Sequence, residues 1–290
     1  MNFGIIGLGV MGSNHKRVYE STGNYVTDIF DPFLYKNQTI KNFINSCKKN
    51  NVKGISICNP SCLHVETSLK ILTEYPECFL LVEKPISINS KDSLKLKKFN
   101  HKILVGHIER FNPAIINLLE LIRSDFFGEI YCISTKRVNN VPSREPIKDV
   151  STDLLVHDIE ILNEIFGDNL SFKKILKKSS NNNSVIDYAH AFLEFGSTIA
   201  YCEAHWLSPI KERSLSFYCS KGFVHLDYYK QIIYSINKQG IKEEIFSCKP
   251  QEEPLVNEIQ HFKNVILGKE NPRVTVDSAN KVMEVFCENF

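Results

Sequence analysis

The chain has 290 residues, 43% of them hydrophobic and 23% charged, a length that accommodates two domains and a composition that excludes disorder and collagen-like repetition. Lys and Arg (35) against Asp and Glu (33) leave a formal charge of +2, too little for the basic field behind non-specific nucleic-acid binding. Nucleic acid is therefore not an expected partner, and any anionic ligand must be met by local groups. No window reaches the roughly 18 consecutive apolar residues of a membrane helix, and Met1 leads straight into an apolar strand without a charged n-region. A cytoplasmic protein without membrane contact is expected.

In chain order, strands are predicted at Phe3–Ile6, Tyr25–Phe30, Gly54–Cys58, Phe79–Val82 and Ile103–Gly106. Candidate helices at 11–22, 35–50, His64–Thr73 and Ser90–Phe99 alternate with them, the pattern of a parallel sheet with crossover helices. From about Glu129 the texture changes to period-two runs at Glu129–Val138, Tyr188–Phe195, Thr198–Trp206, Ser214–Cys219, Phe223–Tyr228 and Gln231–Ile236. Gly196-Ser197 and Lys221-Gly222 read as hairpin turns between them, so one large antiparallel sheet follows. A helix over Thr152–Phe166 is expected to start at an N-cap, Ser151, and to stop at Gly167 in the C′ position. Two more helices are expected over Leu255–Leu267 and from Ser278 onward. The Lys/Asn-rich stretch 173–184 reads as an exposed loop without chemistry. Nine cysteines are scattered with no CxxC, most in apolar runs such as IYCIS at 130–134, and are expected to be reduced core thiols.

Gly7-Leu-Gly9-Val-Met-Gly12 follows the first apolar strand at once and opens a helix, the setting that a dinucleotide fingerprint demands. The first glycine permits the tight turn, the second lets a pyrophosphate approach the backbone, and the third lets the helix pack on its strand. Asp31 ends the second strand, where a carboxylate accepts from adenosine ribose hydroxyls and repels a 2′-phosphate, so NAD is expected over NADP. The fold class is therefore α/β: an N-terminal Rossmann domain over 1–112, and over 113–290 a C-terminal α+β domain with a large, mostly antiparallel open sheet.

Glu83-Lys84-Pro85 emerges at the carboxyl edge of the parallel sheet, where such folds bind ligands. The lysine can touch both nicotinamide and substrate there, and the proline suits a fixed turn, cis or trans. Taken alone, the tripeptide describes equally a solvated lysine at a strand end. Asp153 and His157 are spaced i, i+4 on the predicted helix. That spacing suits a carboxylate orienting an imidazole, a zinc pair, or a helix-start acid beside a half-buried histidine. No third ligand accompanies them, so no metal is expected. His107, Arg110 and Asn112 leave the fifth strand toward the same cleft.

These residues form an ordered set. GLGVMGSNH (7–15), NPSCLH (59–64), EKP (83–85) and DLLVHD (153–158) resemble the successive motifs of the glucose-fructose oxidoreductase/inositol dehydrogenase/MocA family. VGHIERFNPAI (105–115), HWLSPIKER (205–213), VHLDYYKQ (224–231) and EEPLVNEIQHF (252–262) are similar to its UDP-N-acetylglucosamine 3-dehydrogenase-like branch. The resemblance implies NAD(P)-dependent chemistry at a sugar-like hydroxyl, with Lys84, Asp153 and His157 catalytic and with the second domain serving substrate binding and oligomerisation. It implies cofactor contacts from Gly7, Gly9, Val10, Met11, Gly12, Asp31, Asn59, Pro60, His64, Glu83 and Lys84. Substrate contacts fall to Lys84, His107, Arg110, Asn112, Arg144 and His157.

The reaction so implied is oxidation of the C3 hydroxyl of a UDP-N-acetylglucosamine-type sugar to a 3-keto sugar. An imidazole titrates near ~6.5 and a lysine near ~10.4, which assigns the base to His157 and leaves Lys84 to stabilise the alkoxide. Arg137, Arg144, Lys211 and Arg213 are the cations available for a diphosphate. The alternatives are a dehydrogenase of a free sugar or polyol, and an idle NAD(H)-binding sensor. A homodimer or homotetramer is expected, and by family analogy an aminotransferase would take the 3-keto product.

Overall fold

Five short strands, β1 (Asn2–Ile6), β2 (Tyr25–Phe30), β3 (Gly54–Ile57), β4 (Phe79–Glu83) and β5 (Ile103–Gly106), form a parallel sheet in the order β2-β1-β3-β4-β5 in the computed structural model. The structure describes residues 1–141, 149–181 and 184–286. Every residue of β3 and β5 is buried, as strands covered on both faces must be. Helices α1 (Val10–Ser21), α2 (Ile40–Lys49) and α3 (His64–Glu74) cross between strands. A short α4 (Ser90–Ser93) runs into a 3₁₀ segment over Leu94–Lys102. The polar helix expected from residue 35 starts at Ile40, because Thr39 caps it and its side chain accepts from Asn42 N at 3.2 Å. The strand order reverses between β1 and β3, and ligands bind beyond the strand ends at such a reversal.

The chain divides into two units, one formed by Met1–Ile108 with the chain from Glu253 onward, the other by Glu109–Glu252. The second unit opens with α5 (Pro113–Arg123), a helix absent from the predicted set, and is built on an eight-stranded sheet. Its strands are β6 (Ile130–Asn140), β7 (Leu170–Lys178), β8 (Tyr188–Phe195), β9 (Thr198–His205), β10 (Leu207–Cys219), β11 (Gly222–Asp227), β12 (Ile232–Asn237) and β13 (Lys242–Ser247). Their order is β13-β12-β11-β10-β6-β9-β8-β7, antiparallel except for β6 against β9.

Three expectations are corrected here. Lys173–Lys178 belongs to the edge strand β7 and is not loop; its lysines suit an edge, where charge blocks further pairing. The helix before Gly167 opens as a π-helical turn over Ser151–Leu155 and continues as α6 (Val156–Phe166). Its start is secured by Asp149, not by Ser151 as a cap: Asp149 Oδ1 accepts from Ser151 N at 2.8 Å and from Ser151 Oγ at 2.6 Å. Gly167 does close it, at φ 64°. Ala189, Ala191, Ala200 and Ala204 are buried on β8 and β9, the strands on which the Ser151–Leu155 turn packs. Cys132, expected in the core, is exposed; Cys47, Cys78, Cys202 and Cys219 are buried, and Cys287 lies outside the described residues.

The last two helices, α7 (Pro254–Ile266) and α8 (Val276–Val285), return to the first unit, so the expected division at 112/113 is also corrected. Packing explains it. A Cβ on Gly54 would lie 2.8 Å from both Phe262 and Ile266, so glycine in β3 admits α7 at close range. Phe262 meets Phe3 of β1 at a ring separation of 6.2 Å. Val105 of β5 donates its N–H to Val274 O at 3.0 Å, and Asn100 Oδ1 accepts from Val276 N at 2.7 Å. Among the described residues, no helix is long and apolar enough to cross a membrane.

Candidate functional site

In the first unit the three glycines of the loop have different reasons. A Cβ on Gly7, which sits at φ +84°, would lie 2.7 Å from Asn59 N, and one on Gly12 would lie 1.9 Å from Gly7 O. The chain's own packing demands both. A Cβ on Gly9 would meet nothing within 4 Å, so packing among the described residues does not require glycine there and the backbone is open to approach. Gly9 is also the N-cap of α1, with no side-chain cap and no acid in the first turn, leaving backbone N–H groups and the helix dipole available to an anion. Val10 beside it is 58% exposed, an apolar side chain left bare at the same edge; Met11 is half-buried.

Asp31, at the end of β2, is held against this loop. Its Oδ2 accepts from Leu8 N at 2.8 Å and its Oδ1 from Phe33 N at 2.9 Å. Oδ1 also accepts from Leu34 N at 3.3 Å, so of a carboxylate's roughly four acceptor sites about one, on Oδ2, remains for a hydroxyl donor. Backbone donors at a helix start, an open glycine and a fixed acid are what a dinucleotide needs, and the residues present fit one.

The second turn of the site is built from Asn59, His64 and Pro85. His64, 1% exposed, spans two backbone carbonyls: Nε2 is 2.8 Å from Asn59 O and Nδ1 is 2.9 Å from Pro85 O. Burial pulls its pKa below the ordinary imidazole value, against those hydrogen bonds. Pro60 is exposed, Lys84 half-buried, and the Lys84–Pro85 bond is cis. Glu83, expected to contact the cofactor, is 6% exposed. Its carboxylate turns inward and meets His15 Nε2 at 2.9 Å. His107, at the end of β5, is 2% exposed.

In the second unit, Asp153 lies in the π-helical turn and His157 in the first turn of α6, 9% and 7% exposed. Such wide turns occur frequently at functional sites. The arginines behave otherwise than expected. Arg110 is 4% exposed and pairs with Glu160 at 2.7 Å and Glu164 at 2.8 Å. Asn112 caps α5, accepting from Ala114 N at 3.1 Å and donating to Tyr228 O at 3.1 Å. Both side chains are engaged by partners within this unit. Arg137 is 1% exposed, held by Glu109 at 2.7 Å and Asp158 at 2.9 Å. Arg213 also reaches Glu109, at 3.1 Å, and Lys211 sits over the Tyr229 ring at 4.7 Å. Arg144 lies outside the described residues. His15, Glu109 and Asp158 were given no role from the sequence; each stands beside other polar residues, so no local signal marks it.

A parallel-sheet unit with a glycine-rich loop at its switch point, joined in sequence to a unit built on an eight-stranded sheet, is a two-domain architecture whose first unit fits a dinucleotide. Residues 1–102 match the family described as an oxidoreductase family with an NAD-binding Rossmann fold, and residues 115–225 match the GFO/IDH/MocA C-terminal domain. The chain belongs to the GFO/IDH/MocA family. Inositol 2-dehydrogenase of Mycolicibacterium gilvum is 24% identical over 216 residues, 67% of this chain and 61% of that protein. UDP-N-acetylglucosamine 3-dehydrogenase of Acidithiobacillus ferrooxidans is 24% identical over 173 residues, 56% of this chain and 53% of that protein. The chain thus matches little more than half the length of these curated relatives. The solved structure of UDP-N-acetylglucosamine 3-dehydrogenase GnnA from Acidithiobacillus ferrooxidans superposes with a TM-score of 0.81 at 19% identity, covering 98% of this chain and 94% of that one.

Proposed function

We propose that this protein is an NAD-dependent dehydrogenase of a sugar-like hydroxyl, with the C3 hydroxyl of a UDP-N-acetylglucosamine-type sugar as its substrate. The observation that carries the cofactor half is the open backbone at Gly9 facing the fixed carboxylate of Asp31. Gly7, Gly9 and Gly12 with the start of α1 would hold the pyrophosphate, and Asp31 the adenosine ribose. NAD supplies the hydride acceptor when bound. The imidazole of His157 takes the substrate hydroxyl proton, the Asp153 carboxylate orients the ring, and the Lys84 ammonium donates to the oxygen as it gains negative charge. This reading requires Lys84 of the first unit and His157 of the second to serve one substrate.

The choice of nucleotide sugar is supported by the likeness to the 3-dehydrogenase and by the motifs at 105–115 and 252–262. One observation favours a free polyol instead: Arg137, a candidate for the diphosphate, is locked in buried ion pairs, and inositol 2-dehydrogenase matches at the same identity. Incubation with NAD and either UDP-N-acetylglucosamine or myo-inositol, followed by nicotinamide absorbance, separates the two. UDP alone should raise the melting temperature only if a nucleotide-sugar pocket exists. On the nucleotide-sugar reading, the 3-keto product passes to an aminotransferase. A homodimer or homotetramer fits the wide sheet of the second unit, whose outer face carries Tyr131, Phe192, Ile199 and Tyr218, all 40% exposed or more.

A further inference from the structure

Behind the lysine turn, the first unit holds a group of ionisable side chains cut off from water. His15, Glu83 and Glu258 are 0%, 6% and 0% exposed, and one ring nitrogen and one carboxylate oxygen from each glutamate lie within 4.8 Å of one another. Tyr19 Oη is 2.8 Å from Ser56 Oγ, Ser56 Oγ is 3.0 Å from His15 Nδ1, and His15 Nε2 is 2.9 Å from Glu83 Oε1. One assignment of protons satisfies every pair: Tyr19 donates to Ser56, Ser56 to Nδ1, and the Nε2–H to Glu83. Glu258 enters from α7, and neither of its oxygens has a hydrogen-bond partner among the described residues.

Two carboxylates this close and this dry cannot both be ionised. Burial first, and then the charge of Glu83, push Glu258 well above the ordinary carboxylate range. The titratable groups around it are His15, Tyr19, Cys58 and Glu83. None of them is a cation that would stabilise a second negative charge without first taking a proton.

We propose that Glu258 is held as the neutral carboxylic acid, donates a hydrogen bond to the Glu83 carboxylate, and so acts as a positioning residue for the Glu83–Lys84–Pro85 turn. His15 reaches Glu83 from α1 and Glu258 reaches it from α7, gripping it between two helices. Gly106, its partner on β5, leaves the room: a Cβ there would lie 3.0 Å from Glu83 Oε1. A divalent cation is the other answer to one histidine and two carboxylates. The proton is favoured because both His15 nitrogens are already at hydrogen-bond distance from partners within the chain.

The consequence for turnover rests on the role given to Lys84; the protonation state and the positioning do not. The infrared difference spectrum of wild type minus Glu258→Gln, both dialysed against chelator at neutral pH so that the contribution of Glu160 cancels, should show the carbonyl stretch of an un-ionised carboxylic acid. A difference spectrum without that band overturns the proposal. So does stoichiometric zinc that survives the chelator in the wild type and is lost in Glu258→Gln. Hydrogen exchange over residues 79–88 tests the positioning. Glu258→Gln, which keeps a neutral donor, should exchange like the wild type, and Glu258→Leu about tenfold faster. Equal protection in all three, or equal loss in both variants, defeats it. Should Glu258→Leu fail to fold, the spectrum and the exchange of Glu258→Gln still decide. Turnover should fall about tenfold in Glu258→Leu with KM for NAD unchanged. If turnover survives in both Lys84→Ala and Glu258→Leu while the spectral and exchange results hold, the role of Lys84 fails and the Glu258 pairing stands.

Discussion

Arg137 Nη2 lies 2.9 Å from Asp158 Oδ1, and Asp158 is the residue that follows His157. The guanidinium also meets Glu109 and stacks over the Tyr228 ring at 4.8 Å. Burial opposes the charge of Arg137, but its two carboxylates hold its pKa well above the ordinary value. It remains a cation and ties β6 to α6, the helix of the proposed base. Arg137→Ala strands two buried carboxylates and should cost about 3–5 kcal/mol of stability, read from urea denaturation. A diphosphate-binding arginine would instead leave stability intact and weaken only nucleotide-sugar binding.

The two proposed catalytic groups should separate binding from chemistry. Lys84→Ala and His157→Ala are each expected to lower turnover about a hundredfold or more, with NAD binding by fluorescence titration near wild type. Full turnover in both removes these residues from the reaction.

The glycine loop gives a paired test. Gly9→Ala places a methyl in open space and should leave the melting temperature unchanged while weakening NAD about tenfold or more, since the methyl stands where the ligand approaches. Gly12→Ala drives its Cβ to 1.9 Å from Gly7 O and should destabilise the fold outright. A Gly9→Ala protein that binds NAD normally would contradict the assignment of the loop.

For Asp31 the structure separates two roles. Asp31→Ala loses both the ribose acceptor and the clamp on Leu8 N, and should weaken NAD about tenfold, the worth of one charge-assisted hydrogen bond. Asp31→Asn keeps an acceptor for Leu8 N but loses the charge, and should mainly narrow the preference for NAD over NADP. If the ratio of the two Kd values stays the same in Asp31→Asn, the carboxylate charge plays no part in selecting the cofactor.

Burial, opposed in part by Arg110, pushes Glu160 up to about 7 from an unfolded value of 4.5. The unfolded chain therefore releases its proton first. This contribution to stability is complete below pH about 4.5 and is lost as pH rises through about 7, by an amount on the order of 1–3 kcal/mol. Glu160→Gln should flatten that part of the stability–pH curve. A slope equal to the wild type's would mean that Glu160 is ionised beside Arg110 throughout.

Local pattern made the parallel sheet and the glycine loop legible, because wholly buried strands and turn glycines are specified by neighbours in sequence. The roles of Arg110, Asn112 and Arg137 were not legible. A polar side chain looks the same in sequence whether it faces a ligand or a partner far along the chain, and Glu160, Asp158 and the Tyr228 carbonyl are such distant partners. β7 was hidden by its lysines, and the place of α7 by the absence of any local mark at Gly54. The spacing of Asp153 and His157 made their common helical segment legible but not their role, and the turn that carries the first of them is π-helical.

The first unit is assembled from both ends of the chain, with the second unit threaded in as an insertion. On the ribosome, the five parallel strands are complete long before Phe262 and Ile266 emerge to cover the face left open at Gly54. The last contacts of the cofactor domain are thus the longest in sequence, a costly kind of closure that slows folding. Cutting the chain after Glu252 would yield an unfinished sheet with an apolar flank, not a smaller nucleotide-binding module.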